Sequence, residues 1–232
     1  MPTVSCLCFE ALSEWHIGDI ATCQAAIAEA ISLAKELNDL HALVMALWYA
    51  GCLGHFERNP AAVERFASEA LELSTRQNFA TWLPGEAVLR GWARSAYGDT
   101  AEGIAWIENG IGAYRAIGLI LCMPYYLALK AEALHLADRT SEALEAISKA
   151  DAMVERSEER WWCAELYRLR GVFLAALGAD EIQIQASFCE AIRIAKEQKS
   201  VSLATRAEAT YAEYREQKAS GSGGRGFRLP LC

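Results

Sequence analysis

The 232-residue sequence predicts an all-α fold, a right-handed αα-solenoid of about five helix pairs followed by a capping helix. Two observations lead to this prediction. Ala, Leu and Glu dominate the composition while proline occurs only 5 times, which favours long helices over turn-rich sheets. The sequence also repeats itself every forty residues, a period typical of stacked units of helix, turn and helix.

Two series of residues carry this period. The first is a pattern of small or apolar, x3, apolar, x2, small, which begins at positions 23, 63, 103, 143 and 184. The second consists of the small residues Ala11, Gly51, Gly91, Ala131 and Gly171. Residues at i, i+4 and i+7 share one stripe of a helix, where small side chains let two helices approach closely. Each period therefore predicts one helix pair, with the single extra residue in the turn at 178–180.

Turn and cap residues, such as Gly18-Asp19, Asn59-Pro60 and Gly98-Asp99, mark the ends of the predicted helices. Eleven helices are expected, at about 3–17, 20–37, 40–56, 60–77, 82–97, 100–117, 122–137, 141–157, 159–177, 181–198 and 201–217. The repeat domain is thus expected to span residues 1–217. The basic, Gly-rich residues 218–232 are expected to form a flexible tail.

Charge and composition exclude several classes of function. The formal net charge of −8 repels phosphate backbones and anionic lipids, so neither nucleic acid nor a membrane is expected as a partner. The longest uncharged stretch, residues 40–56, is shorter than a bilayer span. The first residues lack a secretory signal, and a cytoplasmic location is expected. The 8 cysteines are scattered and are expected to be reduced.

Motifs for catalysis or metal binding occur only as isolated fragments. Glu132-x-x-His135 has the spacing of half a di-iron carboxylate site, but the sequence holds no second copy of that motif. The G-x4-G-K-[ST] loop that cradles nucleotide phosphates is missing. We therefore expect no enzymatic activity, no metal and no cofactor in this chain.

The first helix of each pair is expected to line a concave groove that binds a protein or a peptide. The stripe one residue beyond the small series should point into this groove, and aromatic and Arg side chains there are typical anchors for a partner. The candidate groove residues are Trp15, Trp48, His55, Trp92, Tyr125, Glu132, His135 and Arg168. The alternative for each Trp is packing between helices, which is the commoner role of large aromatic residues in such repeats.

The first predicted helix is too apolar for an end that faces water. It carries Val4, Leu7, Phe9, Leu12 and Trp15, whereas the last predicted helix is rich in charge and resembles a cap. We expect the first helix to be covered, either by an upstream domain of a longer protein or by self-association.

The Gly-Asp turns and the A-x3-F-x2-A style of the second helices resemble tetratricopeptide repeats, although the period is longer than the usual 34 residues. A closer resemblance covers nearly the whole chain. The stretches LAKELND, ERNPAAVERFASEALELSTRQNFATWL, RGWARSAYGDTAEGIAWIENGI, PYYLALKAEAL and ERWWCAELYRLRGVFLAALG resemble the C-terminal repeat region of bacterial multidomain adenylate cyclases and predicted ATPases.

This resemblance implies a repeat region that regulates or recruits, with any cyclase or ATPase activity in domains upstream of it. Two functions remain open at this point. The chain is expected to be a protein-interaction and regulatory scaffold from a cyclase- or ATPase-linked signalling protein. The alternative is a sensor that binds a small molecule or a nucleotide and regulates such an upstream domain.

Overall fold

The structure, a computed structural model, describes residues 2–220. All regular structure in this range is helical, and the predicted all-α fold of helix pairs is confirmed. The helices are α1 (Pro2–Ile17), α2 (Ile20–Glu36), α3 (Leu40–Phe56), α4 (Pro60–Gln77), α5 (Leu83–Ala96), α6 (Thr100–Ala116), α7 (Met123–Leu136), α8 (Thr140–Ser157), α9 (Cys163–Ala176), α10 (Glu181–Glu197) and α11 (Val201–Ala219).

Most helix ends lie close to the predicted positions, and the largest difference is at the start of α9. This helix begins at Cys163 instead of near residue 159, because the residues before it form a turn in which the Cys163 N–H bonds to the Arg160 carbonyl. At the other end of the chain, α11 continues to Ala219, where Lys218 Nζ lies 2.5 Å from Glu181 Oε2 of α10. Residues 221–232 of the predicted tail lie outside the described residues.

The helices belong to two compact units. Helices α1 to α6 form the first unit, which runs to Ile120, and α7 to α11 belong to the second, which starts at Leu121. Within each unit, the two helices of a pair pack side by side. The first helix of the next pair then packs against both helices of the preceding pair, as α3 does on α1 and α2, α5 on α3 and α4, and α9 on α7 and α8.

Within two residues of its end, each of the first ten helices is followed by a residue in the left-handed conformation, with φ between 51° and 97°. Such a residue lets the chain leave a helix while its last carbonyls stay hydrogen-bonded. The ten positions are Gly18, Asn38, Arg58, Asn78, Gly98, Gly118, Asp138, Glu158, Gly178 and Lys199. Neighbouring positions are twenty residues apart up to Gly178, and Lys199 follows Gly178 after twenty-one residues. The added residue is Ala179, between Gly178 and the N-cap Asp180, in the turn where the sequence predicts it.

The small residues of the repeat close the contact between the helices of a pair. In the α5/α6 pair, a Cβ added to Gly103 would lie 2.5 Å from the Gly91 carbonyl oxygen. A Cβ added to Gly91 would lie 2.6 Å from the Gly103 carbonyl oxygen. Two backbones this close leave no room for a side chain on either residue.

Candidate interaction site

The predicted groove residues of the first unit are buried. They are Trp15, Trp48, His55 and Trp92. Trp15 of α1 packs against Phe56 of α3, with ring centroids 4.8 Å apart. The His55 ring of α3 lies edge-on against Trp92 of α5 at 4.6 Å. The side chains on this stripe therefore fill the space between successive first helices of the unit.

The predicted groove residues of the second unit are buried as well. They are Tyr125, Glu132, His135 and Arg168. The Tyr125 ring packs against Trp161 and Trp162, each with ring centroids 5.4 Å away. His135 of α7 packs its ring against Phe173 of α9 at 5.0 Å, and its Nδ1 lies 2.9 Å from Thr140 Oγ1.

The predicted exposure of this stripe is wrong. Successive first helices lie next to each other within a unit, so large side chains on the stripe fill the space between neighbouring helices and do not line open surface. Trp48 and His135 keep the most accessible surface of the eight, 9% each. The partner-binding role of these residues stays a prediction.

Arg168 belongs to a buried polar cluster that links α9 to α11. Its Nη2 and Nε donate to the two carboxylate oxygens of Glu165 at 2.7 and 2.9 Å, one turn earlier on the same helix. Its Nη1 donates to Thr210 Oγ1 of α11 at 3.3 Å. Arg206, also on α11, approaches Glu165 Oε1 at 3.5 Å. All three Arg168 nitrogens therefore have partners inside the protein, and the contacts with Thr210 and Arg206 join α9 to α11.

A further buried carboxyl, Glu86 of α5, lies outside the predicted site. Ser74 Oγ of α4 donates to Glu86 Oε1 at 2.8 Å, and Oε2 has no hydrogen-bond partner in the described part of the chain. Burial raises the pKa of Glu86 to about 7, against the smaller lowering effect of the Ser74 hydrogen bond. The sequence does hold one signal, since the equivalent positions of the neighbouring periods are Ala46 and Tyr126.

We expect Glu86→Gln to remove a pH dependence of stability. The pKa in the folded state lies above the ordinary value of 4.5, so the folded chain binds more protons than the unfolded chain between these two values. The free energy of unfolding therefore falls as pH rises from about 4.5 to 7, and the loss is complete above pH 7. At pH 8 the Gln variant should be more stable than the parent by ~3 kcal/mol.

Urea unfolding of parent and variant at pH 5 and pH 8 checks this expectation. The two proteins should be close in stability at pH 5 and differ at pH 8. The same difference at both pH values would contradict the assignment of the pH dependence to Glu86.

Exposed large apolar side chains lie mostly at helix ends. Ile17, Leu37, Tyr97, Ile117 and Leu177 each come directly before a left-handed residue. Phe9 differs, because it lies in the middle of α1 and is 58% exposed. Its inner edge contacts Tyr49 of α3, with ring centroids 5.6 Å apart. Phe9 is thus an exposed apolar side chain within a helix, whereas the exposed Ile120 and Leu121 lie in the segment between α6 and α7.

The described residues contain no ready-made metal site or membrane span. Between residues 2 and 220, no group of three or more His, Cys, Asp or Glu side chains is placed to hold a metal ion. In the same range, no helix has both the length and the apolar character needed to cross a bilayer. Seven cysteines lie in the described residues and all are free of disulfides, among them the exposed Cys6 and Cys189.

The architecture defines a helical-repeat protein, and comparisons with known proteins agree with this class. Aspartyl phosphate phosphatase F from Bacillus subtilis, known from a crystal structure, superposes on 98% of the chain with a TM-score of 0.61 at 12% identity. The superposed part is 63% of that protein's chain. A likeness at this low identity establishes the fold.

In sequence, the chain is 26% identical over 204 residues to an uncharacterised protein of Rhizobium meliloti strain 1021. The match covers 88% of this chain and only 20% of that relative, so the chain spans a fifth of the length of the protein it matches. No family model matches the sequence.

Proposed function

We propose that this chain is a protein-interaction and regulatory module that binds a peptide or a partner domain. The observation that carries the proposal is that the aromatic and charged residues of the interior serve to pack helices together. Aromatic and charged residues that would otherwise suggest a chemical site, including His55, Glu132 and Arg168, are buried in packing between helices. A stack of helix pairs of this kind offers outer surface to another polypeptide.

The partner docks, in this proposal, on surface provided by the first helices. In the first unit, Phe9 of α1 offers an exposed aromatic ring on a first helix, whereas the predicted groove residue Trp48 of α3 is buried. Aromatic side chains bury large areas at low entropic cost when a partner binds. The predicted groove residues of each unit are buried beneath the surface of that unit.

We also propose that the module serves a longer cytoplasmic signalling protein of the cyclase or ATPase type. Two observations support this. Stretches from LAKELND to the last repeats resemble the C-terminal region of such proteins, and the Rhizobium relative has most of its length outside the matched part. Any catalytic activity would then belong to other domains, and this chain would transmit or receive the regulatory signal.

Binding experiments with defined probes test the proposed function. We expect a display library of amphipathic 20-residue helices, panned against the full chain, to yield peptides with micromolar dissociation constants. ATP and cyclic AMP serve as probes for the alternative, a nucleotide sensor. A nucleotide at a hundred times its dissociation constant would stabilise the chain by about 2.7 kcal/mol in thermal unfolding. Nucleotide stabilisation without any peptide binder would reject the interaction module in favour of the sensor.

A further inference from the structure

The forty-residue register allows α1 to be compared with the later first helices, position by position. Positions 6, 9, 10 and 13 of α1 correspond to 86, 89, 90 and 93 of α5, and to 166, 169, 170 and 173 of α9. In α5 and α9 every side chain at these positions is buried or half-buried. In α1 all four are exposed, and they are Cys6, Phe9, Glu10 and Ser13.

The contacts of α5 and α9 identify what covers this face in the later pairs. Glu86 accepts a hydrogen bond from Ser74 of the preceding second helix, α4. Leu89 Cδ1 lies 3.1 Å from the position of a Cβ on Gly51, in the preceding first helix. Phe173 of α9 packs on His135 of α7. Each of these contacts goes to the preceding helix pair, and α1 has no such pair among residues 2–220.

The charge at the third of these positions distinguishes α1 from α5 and α9. Arg90 Nε of α5 lies 3.2 Å from Glu64 Oε1 of α4, and Arg170 of α9 pairs with Asp151 of α8. Both basic residues therefore meet an acidic residue on the preceding second helix. Glu10 has the opposite charge at this place, and its side chain is exposed. The face of α1 is thus complementary to a basic residue.

We propose that the outer face of α1, formed by Cys6, Phe9, Glu10 and Ser13, binds a helix hairpin whose second helix carries Lys or Arg opposite Glu10. This inference rests on the proposed function and names its surface and the kind of partner. The small side chains of Cys6 and Ser13 allow close approach of the partner helix, and Phe9 supplies apolar area at the centre. A second copy bound through the same face would place its Glu10 carboxylate near the Glu10 carboxylate of the first copy. The two like charges would repel each other, so a second copy is a poorer partner than a basic helix.

The test extends the full chain by one repeat. A copy of residues 41–80 is placed directly before Met1, which continues the forty-residue register, so that the copied α4 precedes α1 as α4 precedes α5. One form of the copy keeps Glu64, and the other carries Glu64→Lys. The readout is the alkylation rate of Cys6, mapped by mass spectrometry, with the exposed Cys189 as the internal reference. The neighbouring Cys8 does not interfere, because burial raises its pKa to about 12.

The copy with Lys is expected to slow alkylation of Cys6 about fivefold more than the copy with Glu, while Cys189 stays unchanged. Replacing Glu10 by Lys in the chain itself should reverse this order. Equal Cys6 rates in both extended forms and the parent would overturn the proposal, whether the copy is folded or not. Protection of Cys6 in the parent that grows with its own concentration would assign the face to a second copy instead. Neither of these two results decides whether the parent chain binds a peptide. The peptide-binding experiment therefore tests the proposed function independently.

Discussion

Gly103→Ala is expected to destabilise the first unit by about 2–3 kcal/mol, whereas Gly112→Ala on the same helix is expected to stabilise it by about 0.5–1 kcal/mol. A Cβ at position 103 would lie 2.1 Å from Ser95 Oγ and 2.5 Å from the Gly91 carbonyl oxygen. Relief of these clashes requires α5 and α6 to move apart. At position 112 an added Cβ meets no atom within 4 Å, so alanine only reduces the flexibility of the unfolded chain.

Urea unfolding of the two variants provides a matched comparison, because both changes add one methyl group to α6. The variants should shift the unfolding midpoint in opposite directions. A stabilising or neutral Gly103→Ala would contradict the close approach of the two helices, on which the interpretation of the small-residue series depends.

Arg168→Ala is expected to lower the free energy of unfolding by about 3–5 kcal/mol, because it leaves the Glu165 carboxylate buried without its bidentate partner. Both side chains are almost fully buried, 3% and 1% exposed. The double variant Glu165→Gln/Arg168→Met removes both charges and should recover most of this loss. Chemical unfolding of the parent, the single variant and the double variant measures the three values.

The control is the exposed ion pair between Arg139 and Glu142, which has the same sequence separation and a distance of 2.6 Å. Water screens this pair, so Arg139→Ala should have no measurable effect on unfolding. If Arg168→Ala is as mild as Arg139→Ala, the buried cluster does not stabilise the contact between α9 and α11.

The helices and their pairing are predictable from the sequence because both depend on local chemistry and on a fixed period. N-cap residues such as Asp39 and Asn59 bond to the backbone N–H three residues later, a contact that their own short side chains determine. The extra residue in the Gly178 turn shows as a shift in the period. Small residues that recur at forty-residue spacing indicate helix contacts without any knowledge of the partner helix.

The environment of the predicted groove residues is not predictable in the same way. Helical periodicity gives the direction of a side chain from its own helix axis, but not the distance to the next helix. His55 and Trp92 are 37 positions apart, and only the spacing between α3 and α5 decides that their rings meet. The polar contact between Ser74 and Glu86 likewise joins two helices. The apolar character of α1, by contrast, is visible in its sequence, and the exposed Phe9 agrees with it.

The central claim is that, within each unit, a first helix that follows another helix pair docks on that pair through the same positions of a forty-residue period. Two deletions within the α3-to-α5 region test it most directly: residues 48–87, which removes forty residues and joins Leu47 to Val88, and residues 48–89, which removes forty-two. The two extra residues rotate the following helical segment by about 200°. Thermal unfolding followed by circular dichroism should show a cooperative transition and parent-like helix content per residue for the forty-residue deletion only. Indistinguishable unfolding of the two variants would contradict the claim.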